Sequence, residues 1–467
     1  MVYGVIVSNR SFFPDHLVEE GRAELLALLK EMGHEVVTLT PQDTELGAVE
    51  TVADGDKCAA LFKSRQDIEG IICCLPNFGD EVAVSTAIRR SGLNVPVLVQ
   101  ACDDALDKMD LANRRDAFCG KLSLCSVLRQ NGIPYSLTQL HTCAIRSPEF
   151  RADLERFAGI CRVVNGLRRA RIAAIGARPT AFQTVRYSEK LLQRDGIYVT
   201  VCDMAEMIGR TEALKEEDPR VVQALRKLTG YAPSPAAKPE ERVRIAKLYV
   251  AMKEYLQENN CDAGAVQCWD ALEKYYHCAP CVVMSMLGQE GIPLACEMDV
   301  MGAVSMLALR LAAGLAPGYM DWDNNYGDDR DKCVNVHCSN YPKDFFGGPI
   351  DEVGHLDILG TTLGRENCFG ACKGRVAPGE MTFMKASTDE FTGKMRAYMG
   401  KGEFTDDPLN SFGGVAVCHV PGLQKLLHTL AEEGFEHHVA LTRGDCLSIL
   451  REALGKYMGW ELTVHEG

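Results

Sequence analysis

Apolar residues follow two spacings along the first hundred positions. Tyr3–Val7, Glu35–Leu39, Gly70–Leu75 and Val95–Gln100 are short runs rich in Val, Ile and Leu, with the length and content of buried strands. Between them, Leu17–Met32, residues 58–66 and residues 80–91 repeat apolar positions at helical spacing, and Gly33 stops the first of these helices. The pattern restarts near residue 166. Arg171–Gly176, Tyr198–Cys202, Ala263–Gln267, Ile292–Cys296 and Gly318–Asp321 read as strands, and Phe182–Arg194, Cys281–Gly288 and Gly302–Ala313 as helices. Residues 213–260 are rich in charges and helix formers, interrupted by the Pro/Ala segment at 232–239. From about residue 345 Gly and Thr rise. Gly374–Ala377, Met381–Lys385 and Gly414–His419 then read as short strands, and Leu423–Glu433 and Gly444–Lys456 as helices.

Strands that alternate with helices of this length predict parallel sheets covered on both faces. The expected architecture is α/β: two Rossmann-like parallel-sheet domains, 1–165 and 166–345, followed by a smaller β-rich C-terminal domain, 346–467. No GxGxxG follows the first strand, which argues against a dinucleotide site.

The chain has 467 residues, with 46 % hydrophobic and 24 % charged positions, the balance of a folded globular protein. Its net charge of −14 argues against a nucleic-acid binder, which would show a basic face. No run reaches the roughly 18–20 apolar residues of a membrane span. Met1–Val7 is too short for the apolar core of a secretory signal, so a cytoplasmic location is expected. The 20 cysteines then read as free core thiols. Cys278 and Cys281 form a CxxC without a second CxxC at zinc-site spacing.

The chemistry concentrates in Gly291-Ile292-Pro293-Leu294-Ala295-Cys296-Glu297-Met298-Asp299. Glu297 ends an apolar strand, a helix follows, and the next strand ends at Asp321. A strand–helix–strand crossover makes those strands parallel and brings both carboxylates to one sheet edge, where open α/β proteins bind ligands. Taken singly, each acid is an ordinary strand-end carboxylate. His437-His438 enters an apolar segment far along the chain, and alone it is an ordinary strand edge. His337 is a further imidazole after an apolar run, and His355 and His419 are weaker candidates. Two carboxylates with one imidazole favour Mn²⁺ or Mg²⁺, and Mn²⁺ once nitrogen joins the oxygens.

Six segments together resemble a known family. They are Asn9-Arg10-Ser11-Phe12-Phe13-Pro14, Gln267-Cys268-Trp269, Ala295-Cys296-Glu297-Met298-Asp299-Val300-Met301-Gly302-Ala303, Asp321-Trp322, Lys373-Gly374-Arg375-Val376-Ala377-Pro378-Gly379 and His437-His438. In this order they are similar to the L-fucose isomerases and related proteins, with the L-arabinose isomerases more distant. The resemblance implies an aldose–ketose isomerase acting through a cis-enediol on a small sugar. It implies a metal, Mn²⁺ (Mg²⁺ and Co²⁺ being the alternatives), held by Glu297, Asp321 and His438, with Glu297 and Asp321 also catalytic. It further implies Arg10 and Gln267 near the sugar, and a homo-oligomer, often a hexamer. His337 falls near the place of an extra His in the arabinose enzymes. Trp269 is a candidate to stack on the sugar's apolar face, and Arg375 and Lys373 to meet its polar groups. The expected substrate class is L-fucose, D-arabinose or L-arabinose. The chain is shorter than the long fucose isomerases, and a C6-modified hexose such as a sulfonated glucose is the alternative. A non-catalytic sugar-binding protein and a redox enzyme using Cys278 and Cys281 are the rivals from other classes.

Overall fold

The structure, a computed structural model, describes residues 1–467, and the chain divides into two compact units. The first comprises Met1–Asn165 with Glu452–Met458. Its sheet is parallel, in the order β2-β1-β3-β4-β5, from strands β1 (Val2–Val7), β2 (Glu35–Val37), β3 (Gly70–Leu75), β4 (Val97–Ala101) and β5 (Ser136–Leu137). All six residues of β3 and all five of β4 are buried, as expected of strands covered on both faces. Helices Asp15–Glu31, Val52–Lys63, Glu81–Ser91 and Ala117–Gln130 supply the crossovers. Near the chain end, the Tyr457 hydroxyl bonds Val97 and Ser136 of this same sheet.

The second unit comprises Gly166–Arg451 and Gly459–Gly467 and contains two sheets. One is parallel, in the order β7-β6-β8-β9, from β6 (Arg171–Ile175), β7 (Tyr198–Cys202), β8 (Ala263–Val266) and β9 (Leu294–Ala295). The other is a mostly antiparallel, ten-stranded sheet. Its main path uses β10 (Gly318–Asp321), β11 (Asn324–Tyr326), β12 (Asp329–His337), β15 (Gly379–Asp389), β16 (Lys394–Phe404), β17 (Gly414–His419) and β18 (His438–Arg443), in the order β10-β18-β15-β16-β17-β12-β11. Strands β13 (Glu352–His355), β14 (Phe369–Arg375) and β19 (Glu461–His465) join it from the side. This is the α/β chain with a β-rich C-terminal region that the pattern predicts. The segments 166–345 and 346–467, read apart in the sequence, both fall in this unit, apart from Glu452–Met458.

Three expectations are corrected. Gly318–Asp321 is a strand, but it does not extend the parallel sheet: it runs antiparallel to β18 in the larger sheet. The helix before it, Val300–Ala313, is apolar nearly all round and packs against strands of both sheets, so the chain changes sheets rather than crossing over within one. Phe182–Arg194 is not one helix. A 3₁₀ turn at Gln183–Val185 is separated by Arg186-Tyr187-Ser188 from a short helix, Glu189–Arg194, that Ser188 caps through the Leu191 amide. In 213–260 the Pro/Ala segment does separate two helices, as the sequence pattern implies, Pro219–Tyr231 and Pro239–Glu258, each with Pro at its start. Residues 444–456 form only a short α-helix, Leu447–Leu450, running into a π-helical turn, Arg451–Tyr457.

Candidate functional site

Strand β9 ends at Ala295, and the chain then makes a tight left-handed turn. Glu297 has φ 60° and Met298 φ 63°, a region that side-chain-bearing residues enter at a cost of order 1–3 kcal/mol each. The turn is held by the Met298 amide donating to Val266 O (3.0 Å), by Asp299 N to Cys296 O (3.0 Å) and by Glu297 N to the Cys268 thiol (3.3 Å). It swings the Glu297 carboxylate off the sheet edge. The Trp269 indole N–H donates to Glu297 Oε1 (3.0 Å), and His438 Nε2 lies 2.8 Å from Oε2.

Asp321 and His438 meet because antiparallel register places them directly opposite one another on β10 and β18. His438 Nε2 is 3.6 Å from Asp321 Oδ1, and the half-exposed His437 reaches the same oxygen at 3.9 Å. Asn335 on β12 donates to the Asp321 carbonyl (2.7 Å), and His337 ends that strand. Donor atoms of Glu297, His337 and His438 lie within 4.8 Å of one another, and so do those of Asp321, His437 and His438. His438 belongs to both groups. Two buried polar atoms here, Asp321 Oδ1 and His337 Nδ1, have no hydrogen-bond partner, as expected of donors awaiting an ion. The donor set of carboxylates and imidazoles fits a hard-to-borderline divalent cation. Phe182 covers the pair of imidazoles, its ring centroid 5.6 Å from His437 and 5.8 Å from both His438 and Trp269.

The electrostatics are tightly coupled. Burial alone would push the Glu297 carboxyl up, but the His438 hydrogen bond, the neighbouring imidazoles and Trp269 together hold it down at about 2. Burial opposes charge on His438, yet hydrogen bonds to Asp299 and Glu297 and the Asp321 charge outweigh it and hold the imidazole up at about 10. His437 is pushed down by burial and by the charge of His438.

The sequence-named residues divide between two groups. Glu297, Asp321, His337 and His438 come together, and Trp269 joins them through Glu297. Gln267 spends its side-chain carbonyl on the Ala177 amide (2.8 Å), holding the loop that leads to Phe182. Arg375 donates to the carbonyls of Thr405 and Asp407, and Lys373 pairs with Asp357 (2.7 Å). Arg10 belongs to the first unit, where it bonds Gly79 O and Glu81 and lies over the Phe78 ring. His355 pairs with Glu241 and His419 with Glu403. All twenty cysteines are free, and Cys278 and Cys281 are buried thiols whose acidity burial suppresses. Four neighbours were not singled out as site residues in the sequence: Asp299, Tyr319, Lys385 and Phe182. Lys385 had a signal, a lone charge in the apolar run Met381–Lys385, and Asp299 sits inside the Glu-x-Asp motif. Nothing in the sequence marks Phe182.

Residues 4–168 match the family described as fucose/sulfoquinovose isomerase, N-terminal domain, and residues 335–466 match L-fucose isomerase, C-terminal domain. His337 and His438 fall inside the second match, whereas Glu297 and Asp321 lie between the two. The chain is similar to the sulfoquinovose isomerase of Alkalicoccus urumqiensis, 28% identical over 391 residues, which cover 80% of this chain and 81% of that one. It is also similar to the sulfoquinovose isomerase of Priestia aryabhattai, 25% identical over 363 residues, or 75% and 76% of the two chains. No helix is long and apolar enough to cross a membrane.

Proposed function

Since the chain belongs to the L-fucose isomerase-like family and is an aldose–ketose isomerase, we propose that it interconverts 6-deoxy-6-sulfoglucose (sulfoquinovose) and the corresponding 2-ketose, with Mn²⁺ held by Glu297, Asp321 and His438. The observation that carries the metal-assisted reading is that His438 stands in two clusters of possible ligands, one with Glu297 and His337 and one with Asp321 and His437, with Asp321 Oδ1 buried and unpartnered. The sugar rests on the relatives, which are named for sulfoquinovose. They favour the C6-modified hexose over the fucose and arabinose substrates that the motifs alone suggest.

Isomerisation moves a proton between C1 and C2 of the open-chain sugar, through a cis-enediol. An ion held by these residues would supply Lewis acidity, lowering hydroxyl pKa and stabilising charge. The protein supplies the proton carriers. Glu297 is ionised at neutral pH and held in one orientation by Trp269 and His438. Asp321 presents an oxygen with no competing donor. One carboxylate takes the proton from carbon and returns it to the neighbouring carbon, and the other serves the hydroxyl proton. Phe182 and Trp269 form an apolar wall on this side of the site.

The test is a rate comparison on 6-deoxy-6-sulfoglucose, L-fucose, D-arabinose and L-arabinose, with Mn²⁺ and after chelation. The sulfonated sugar is expected to turn over at least about tenfold faster than the others, with chelation abolishing the rate. Glu297→Gln is expected to reduce turnover by about 10²–10⁴-fold with the fold intact. Faster turnover of L-fucose or a pentose would restore the first substrate reading. A sugar that binds without exchanging its C2 hydrogen for solvent deuterium would make this a binding protein.

A further inference from the structure

Asp299 stands two residues after Glu297, is fully buried, and gathers four donors on its two oxygens. Oδ1 accepts the Gly302 amide (2.7 Å), capping the helix Val300–Ala313, and the Lys385 ammonium (3.3 Å). Oδ2 accepts from the Tyr319 hydroxyl and from His438 Nδ1 (2.9 Å) and lies 3.0 Å from the Lys385 ammonium. The cap needs only Oδ1, and Ser, Thr or Asn would serve it as well. What requires a carboxylate is the other oxygen. Lys385 is likewise fully buried, on β15, the neighbour of β18. A charged pair hidden this deeply gives little net stability over an apolar pair of the same size, so its presence asks for another purpose. The Lys385 ammonium and the Tyr319 hydroxyl fix the Asp299 carboxylate in place. Asp299 in turn faces one nitrogen of the His438 ring, while the other faces Glu297 and Asp321.

We propose that Asp299 is a positioning residue for His438: by accepting the Nδ1–H it imposes the tautomer whose Nε2 lone pair is directed to the metal. This rests on the metal reading above. A carboxylate behind a metal-binding imidazole sets its tautomer and raises its basicity, and losing such a partner typically weakens metal affinity about 10–100-fold.

Asp299→Asn with Lys385→Met isolates the effect, since an amide NH₂ in the place of Oδ2 would otherwise meet the Lys385 ammonium as a second donor. Asn keeps the helix cap, so its Oδ1 stays on the Gly302 amide and its NH₂ takes the place of Oδ2. The NH₂ then donates to His438 Nδ1, which must carry the lone pair, and the proton moves to Nε2, where the ion should bind. Mn²⁺ affinity, measured from the electron paramagnetic resonance signal of free Mn²⁺, is expected to fall at least about tenfold. In the Mg²⁺-loaded protein the ¹⁵N imidazole resonances are expected to report the opposite tautomer for His438 in the variant. Asp299→Asn alone keeps the Lys385 charge beside Glu436 (3.9 Å) and is expected to show the same loss. A folded variant that binds Mn²⁺ within twofold of wild type, or keeps the proton on Nδ1, overturns the positioning role and leaves the metal reading standing. A wild-type protein that binds no divalent cation overturns both.

Discussion

Glu273 is fully buried in the short helix Ala271–Tyr275, four residues beyond Trp269, and neither of its carboxylate oxygens has a hydrogen-bond partner. Burial pushes its pKa from 4.5 up to about 8. In the unfolded chain this carboxyl loses its proton near pH 4.5, while the folded chain keeps it to about pH 8. Across that window folding takes up a proton, so the contribution of Glu273 to stability declines as pH rises from about 4.5 to about 8. Glu273→Met replaces the unpaired acid by an apolar side chain of similar length. It should stabilise the fold by about 1–3 kcal/mol at pH 8 and by little at pH 5. Denaturant unfolding at the two pH values checks this, and a variant less stable than wild type at pH 8 would show that the acid has a partner after all. Glu297, by contrast, is a buried acid with its charge compensated on both oxygens, by Trp269 and by His438.

The helix Val300–Ala313 carries the next argument, because its first turn touches the site. A Cβ on Gly302 would fall 2.1 Å from the Tyr319 hydroxyl oxygen and 2.4 Å from its ring carbon, and Tyr319 is fully buried with nowhere to retreat. Gly302→Ala should therefore push Tyr319 off Asp299. The steric cost of about 1–3 kcal/mol exceeds the gain of under about 1 kcal/mol in helix propensity. Gly209, in the helix Met204–Ala213, has open space where a Cβ would go, and Gly209→Ala should gain about 0.5–1 kcal/mol. Thermal melts of the two variants should move in opposite directions, and a Gly302→Ala protein melting above wild type would refute the packing argument. This helix also shows what the sequence could and could not disclose. Strands such as Gly70–Leu75, Tyr198–Cys202 and Gly414–His419 were legible to the residue, because short apolar and β-branched runs bounded by turn residues are the signature of strands. The pairing of Gly318–Asp321 was not legible. A strand–helix–strand pattern carries no mark of which sheet receives the second strand, and here the apolar helix is shared by two. The pattern thus puts Glu297 and Asp321 on one sheet edge, whereas Asp321 arrives from the second sheet, opposite His438. The Asp299–Lys385 pair was missed for a related reason: a buried charge looks like a strand-edge charge until its partner, 86 residues away, is known.

At the scale of the whole molecule, the candidate ligands come from three distant stretches of the second unit: the turn after β9, the end of β10 and the start of β18. The first belongs to the parallel sheet and the other two to the antiparallel one. An ion held by all three ties two sheets together and binds only the folded arrangement, so its binding energy adds directly to stability. The increment is RT ln(1 + [L]/Kd), about 2.7 kcal/mol when Mn²⁺ stands at 100 times its Kd. None of these ligands lies in the first unit, Met1–Asn165 with Glu452–Met458. A protein of two units need not melt in one step. If it melts in two, Mn²⁺ should raise the transition of the second unit and leave that of the first in place. Scanning calorimetry with Mn²⁺ and with a chelator resolves this, and Glu297→Gln should remove most of the shift. A shift confined to the other transition, or one that Glu297→Gln leaves untouched, would place the ion elsewhere. Its absence at millimolar Mn²⁺ would mean that the two carboxylates and His438 stabilise one another without a metal.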